Sequence, residues 1–188
     1  TETKPNSTRS EVYNFVKSEL DAVIPLLSDK KDATTYGRIN KWAALAIRMQ
    51  LQLNAEVYTG TAQWAAAKAD ADAIINSGLY SLEAVYSDNF KEQNEGSSEN
   101  IFVIPYDEVF ATGFNWVAMT LHYASQNTFN LTFQPWNGYA TVEEFYNSYV
   151  DPSTNPGPQG DVIKGKGAAT GTLDSRLSNF LVGSQGTD

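Results

Sequence analysis

The chain has no cysteine and one histidine, His122, in 188 residues. Without cysteine there is no disulfide, no thiol chemistry and no Cys-based zinc site. A His-based catalytic triad has only His122 to draw on, and no Gly-x-Ser-x-Gly elbow surrounds any serine. Positive charge is also scarce: 13 Lys and Arg against 22 Asp and Glu give a net charge of −9. Nucleic acid is therefore excluded as a partner, because its phosphates need a basic surface. No apolar run approaches the roughly 20 residues that span a bilayer, and no signal peptide is visible. The length suits one domain with a real core. The chain opens at Thr1 without Met, so it is expected to be an internal or trimmed part of a longer protein.

What is present is organised around residues 36–80, read as two antiparallel helices joined by the turn Thr59-Gly60-Thr61. The first helix, about 40–58, places Trp42, Leu45, Ala46, Met49, Leu53 and Val57 at steps of three and four, one face of a 3.6-residue period. The second, about 62–76, is rich in alanine, which favours helix and lets a neighbouring backbone come close. Thr61 is the expected N-cap and Gly78 the expected left-handed C-terminal residue. Trp42 and Trp64 are read as packing residues. Helix, tight turn and small-residue helix form the unit of an α-solenoid.

Before this hairpin, Thr8 and Glu11 have capping-box spacing. The helix they open carries the stripe Val12, Phe15, Val16, Leu20, Val23, Ile24 and Leu27, with Pro25 expected to kink or end it. Lys30, Lys31 and Asp32 read as a solvated turn. After the hairpin, Tyr86 and Phe90 are expected to cap the solenoid end. Ile101 to Ile104 reads as a short buried strand stopped by Pro105. From Asp107 to Ala140 periodicity fades while aromatics and amides interleave, and a loop that long inside a domain is often functional. Thr141 is expected to cap a further helix through Glu144. Residues 151–171 are rich in Gly and Pro and read as an exposed loop, and 173–182 as a last short helix or turn.

Several of these pieces carry a family resemblance. Gly37-Arg38-Ile39-Asn40-Lys41-Trp42-Ala43-Ala44-Leu45 opens the helix pair, and Ile74-Ile75-Asn76-Ser77-Gly78-Leu79-Tyr80-Ser81-Leu82 closes it. Glu99-Asn100-Ile101-Phe102, Trp136-Asn137-Gly138-Tyr139-Ala140-Thr141 and Asp174-Ser175-Arg176 follow in order. Together they resemble the SusD/RagB family of Bacteroidetes outer-membrane glycan-binding lipoproteins. In Glu99-Asn100 the family's Asn and Glu are swapped. The resemblance implies a mainly α fold of tetratricopeptide-like helix pairs (8–82), followed by a loop-rich, aromatic-rich part (83–188) with a few short strands. The whole, 1–188, would be a single partial domain of a longer protein. It further implies non-catalytic binding of an oligosaccharide or polysaccharide, or of a peptide, at the cell surface. Delivery to a SusC-like TonB-dependent transporter would follow. The protein would be held on the outer membrane by a lipid anchor outside this sequence.

The residues themselves point to a site in the aromatic and amide-rich segment. Sugars present apolar C–H faces and a rim of hydroxyls, so they take flat aromatic platforms flanked by amides. Trp116 with Asn115, and Trp136 with Asn137 and Tyr139, have that pairing and are the candidate ligand-binding residues. Each aromatic has an alternative reading as core, and Asn137 as a fold element. The competing function is a helical-repeat scaffold that binds a protein or peptide and no sugar. Catalysis has little support. Asp107 and Glu108 are adjacent, and an extended segment would turn them to opposite sides, so no carboxylate pair is singled out. His122 reads as a hydrogen-bonding loop residue. No cofactor or metal is expected: Asp151, Ser153 and Asn155 begin like a calcium loop but end on Val162, and Gly165-Lys166-Gly167 lacks a phosphate-loop frame.

Overall fold

A computed structural model of the chain describes residues 6–107, 109–113, 116–127, 129–147, 149, 160–161, 168–169 and 180. It divides into two compact units, Thr1–Tyr106 and Asp107–Asp188.

The first unit is helical. Helix α1, Arg9–Val23, opens on the expected capping box: the Thr8 hydroxyl accepts from the Glu11 N–H at 3.2 Å, and the Glu11 carboxylate accepts from the Thr8 N–H at 2.7 Å. At Pro25, which lacks an N–H, α1 gives way to a 3₁₀ turn over Ile24–Leu26. Helix α2, Lys41–Leu53, starts where the Asn40 side chain accepts from the Ala43 N–H at 2.9 Å. The single helix expected to Tyr58 is interrupted at Asn54, whose amide turns back to the Gln50 carbonyl. A short helix α3, Ala55–Thr59, follows and ends on left-handed Gly60. Helix α4, Trp64–Asn76, runs out into left-handed Gly78 as expected. Thr61 is not its cap. The helix begins after Gln63, and the Thr61 N–H is taken up by the Thr59 hydroxyl.

The core is where α2 meets α4. Ile24, Ala44, Leu45 and Ile74 are buried together, with Leu20, Leu27, Trp42, Tyr80 and Ile101 packed around them. Ala44 is almost fully buried here, and its small side chain takes little room between the helices. Trp42 packs here as expected and donates its indole N–H to the Asp29 carbonyl at 2.7 Å. Trp64 does not pack. It stands at the first residue of α4, beyond the buried run, and is 59% exposed. Leu53 and Val57, and Val12 and Phe15 of α1, are likewise exposed. The buried face of α2 instead continues through Gln52, with half-buried Arg48, both bonded to Asp70 of α4. A hydrophobic-periodicity count misses a face completed by polar groups.

Three further expectations are corrected. Residues 101–104 form no strand: the chain bends at Ile101 and Phe102, and only Ile101 turns toward the core. No described neighbour supplies a ladder, so strong β-formers alone make no sheet. Lys31 is not a solvated residue. Its ammonium sits over the Tyr80 ring and donates to the Leu79 and Ser98 carbonyls, and burial lowers its pKa. Tyr86 and Phe90 pack against each other on an exposed 3₁₀ turn instead of closing the helix pair.

Among its described residues the second unit is mostly irregular. It holds helix α5, Trp116–Thr120, a 3₁₀ turn at Tyr123–Ser125, helix α6, Glu143–Asn147, and the two-residue antiparallel strands β1, Gly160–Asp161, and β2, Ala168–Ala169. Helix α6 begins later than expected, and the Thr141 hydroxyl turns to the Val142 carbonyl, so it caps nothing. Buried Tyr146 meets the Phe180 ring edge-on at 5.6 Å. The chain is mainly α, with packed helix pairs. The calcium-like loop that begins at Asp151, the Gly165-Lys166-Gly167 stretch and the Asp174-Ser175-Arg176 motif lie outside the described residues, apart from the strand pair itself.

Candidate functional site

The segment 136–139 is laid along α5 by a run of backbone hydrogen bonds. The Trp136 N–H reaches the Ala118 carbonyl at 2.6 Å and the Asn137 N–H reaches Leu121 at 3.1 Å. The Gly138 and Tyr139 N–H groups share the Met119 carbonyl, each at 2.8 Å. The sequence allows this approach at two positions. Asn137 adopts a left-handed φ of 52°, which asparagine tolerates better than most residues. A Cβ on Gly138 would meet the Met119 thioether, with Sδ at 3.0 Å, so a larger residue there would require that flexible side-chain tip to move aside.

This turn brings Trp116 and Tyr139 together. Their rings stack with centroids 5.9 Å apart and planes 27° from parallel. Both remain open to solvent, Trp116 by 62% and Tyr139 by 52%, and Trp136 on the same turn is 57% exposed. A hydrophobic core would hide such rings, and these are not hidden. Asn137 is exposed and serves the turn through its backbone; Asn115 lies outside the described residues. Met119, whose carbonyl seats two N–H groups, has no sequence signal that marks it. The Asn137-Gly138 pair does carry one, since it reads as a turn.

Among the unit's described titratable side chains, His122 and Asp107 are engaged in its turns. The His122 Nδ1 accepts from the Ala124 N–H at 3.1 Å, which commits the imidazole to capping a turn. The Asp107 carboxylate accepts from the Phe110 and Val109 N–H groups, and these bonds hold its pKa below the ordinary value. It is an anchor of its own turn. Among the described residues no group of three His, Cys, Asp or Glu could hold a metal. No described helix is long and apolar enough to cross a membrane.

Fold and site together define a mainly α protein of packed helix pairs that carries an exposed aromatic cluster on an irregular unit. Over 97 residues, 50% of the chain, its sequence is 32% identical to the starch-binding protein SusD of Bacteroides thetaiotaomicron. That match covers 17% of the length of SusD. No family model matches the chain.

Proposed function

We propose that this chain is part of a SusD-like, non-catalytic glycan-binding protein. Trp116, Tyr139 and Trp136 would form its sugar platform, with Asn115 and Asn137 supplying amides at the rim. The observation that carries the reading is the stack of Trp116 on Tyr139 with both rings left in solvent. A sugar C–H face gains by covering a solvent-exposed aromatic ring, and both of these rings are more than half exposed. The sequence similarity to a starch-binding protein supports the same ligand class. In this reading the protein is a binding protein and no bond is cleaved. It sits on the outer membrane through a lipid anchor and hands the captured oligosaccharide to a SusC-like TonB-dependent transporter. The helix pairs are scaffold and partner surface.

Affinity electrophoresis and calorimetry against a glycan panel test this reading, with Trp116→Ala, Trp136→Ala and Tyr139→Ala alongside. Loss of a platform ring is expected to weaken binding about tenfold or more, which corresponds to about 1.4 kcal/mol. If glycan binds and all three variants match the parent, the platform is elsewhere. If no glycan binds, the second reading takes over: a helical scaffold for a protein or peptide. The exposed Val12, Phe15, Leu53 and Val57 of the helical unit favour that alternative.

A further inference from the structure

The helical unit contains a cleft that the aromatic platform does not use. It lies between the loop that precedes α2 and the loop at 95–103. Its main chamber, about 470 Å³, is lined by Lys31, Asp32, Tyr36, Glu95 and Ser97 among others. These five also line a narrower arm of about 60 Å³, which extends to Arg38 and Phe102. A chamber of this size falls within the range of small-ligand sites.

Its walls are built and its tips are left unused. One wall is fixed by Lys31 on the Leu79 and Ser98 carbonyls and by the Asn40 amide on the Lys30 carbonyl at 3.1 Å. The Gly37 turn closes against the Pro105 ring. The facing loop is fixed by the Asn94 amide on the Asn89 carbonyl at 2.7 Å, and by the Ser97 hydroxyl on the Asn89 side chain at 2.6 Å. Of the lining residues, Arg38, Glu95 and Tyr36 are exposed, and their side chains make no hydrogen bond or ion pair among the described residues. The Tyr36 and Phe102 rings are each 42% exposed. A lone arginine on a flat surface needs no explanation. Here a donor fork, an acceptor and an aromatic face line one preorganised hollow.

We infer that this cleft is a second saccharide-binding site, separate from the Trp116–Tyr139 platform. A sugar matches the lining better than the alternatives do. A phosphate-bearing ligand would meet Glu95 and Asp32 as well as Arg38 and Lys31, and like charges repel it. A purely apolar ligand would desolvate Arg38 and Glu95 without pairing them. A pyranose offers hydroxyls that accept from Arg38 and donate to Glu95, while its C–H face covers the Tyr36 ring. The inference takes its ligand class from the glycan-binding reading but not its residues.

Titration of the isotopically labelled chain with maltoheptaose, cellohexaose and xylohexaose in turn, followed by amide NMR, tests both sites at once. The expected result is saturable shifts at Gly37, Gly96 and Ser97 in addition to those at Gly138 and Tyr139. Arg38→Met and Glu95→Gln should each raise the cleft dissociation constant about tenfold or more and leave the platform shifts unchanged; their amide spectra also check that the variants fold. Shifts at 138–139 alone overturn the second site and leave the platform standing. Shifts at the cleft alone support it and overturn the platform. Shifts at neither with any of the three sugars overturn both. Cleft shifts that persist unchanged in Arg38→Met and Glu95→Gln overturn the roles given to those side chains, and the inference with them.

Discussion

Arg48 of α2 grips Asp70 of α4 in a two-pronged ion pair, Nε to one carboxylate oxygen at 2.9 Å and a terminal nitrogen to the other at 2.6 Å. The Asp70 side chain is 7% exposed, and Gln52 adds a third bond at 3.2 Å. Arg48 also reaches Asp21 of α1 at 2.9 Å, so one guanidinium ties three helices, and these bonds raise its pKa further. Planar fork geometry makes arginine, not lysine, suited to this position.

Arg48→Met is therefore expected to cost about 3–5 kcal/mol, because it leaves the Asp70 charge buried and unpaired. The double variant Arg48→Met, Asp70→Leu should recover most of that loss, since removing both charges removes the desolvation penalty as well. Urea unfolding of the two variants and the parent measures both. A loss below about 1 kcal/mol in the single variant would mean that solvent reaches the Asp70 carboxylate once the arginine is gone.

Trp116 and Tyr139 should be energetically coupled even without ligand. An offset aromatic pair contributes about 0.5–1.5 kcal/mol beyond its area burial. A double-mutant cycle on unfolding, with Trp116→Ala, Tyr139→Ala and both together, should return a coupling in the lower part of that range, because both rings are more than half exposed. Additive losses would show that the rings are neighbours without mutual stabilisation.

How much of this was legible in the sequence depends on what each feature needs. Thr8 with Glu11, Pro25 and Gly78 act on their own backbone neighbourhood, and their effects were readable as written. The split of α2 from α3 at Asn54 was not, because asparagine tolerates a helix interior and breaks it only where its amide finds the Gln50 carbonyl. The exposure of Trp64 and Leu53 was also hidden. Periodicity assigns a face but not how far along the helix a partner extends. In the aromatic segment, residue type singled out Trp116, Trp136 and Tyr139. The stacking of two of them depends on hydrogen bonds to the Ala118, Met119 and Leu121 carbonyls, which no side-chain pattern encodes.

Acid should loosen the helical unit in a defined direction. The Glu11 pKa is lowered by its bonds from the Thr8 backbone and hydroxyl, that of Glu83 by the Ser98 backbone and hydroxyl, and that of Asp21 by Lys17 and then Arg48. A group whose folded pKa is depressed contributes stability that is fully present above its unfolded value. For the two glutamates that ordinary value is 4.5 and for the aspartate 3.8. The contribution is lost as pH falls through the lower folded values, because the unfolded chain takes up the protons first. The urea midpoint should hold steady near neutrality and fall between roughly pH 4.5 and pH 2. Glu11→Gln and Glu83→Gln should each flatten that fall; an unchanged slope in both would assign the acid sensitivity to other groups.

Two glycines facing the same cleft should answer differently to alanine. Gly37 has a φ of +70°, and a Cβ there would meet the Pro105 ring at 3.4 Å. Left-handed backbone costs an alanine about 1–2 kcal/mol, and the proline ring leaves little room to relax. Gly96 has no left-handed φ and nothing within 4 Å of the Cβ position. Alanine at 96 restricts the unfolded chain more than it disturbs the folded one, so Gly96→Ala should be neutral or stabilising by up to about 1 kcal/mol. Thermal or urea unfolding of the two variants side by side separates backbone strain from a general intolerance of this surface. Equal losses would mean that the cleft walls are constrained by something other than the Gly37 turn. A loss at Gly37 alone would identify that turn, and its seat on Pro105, as the element that holds Tyr36 and Arg38 in register.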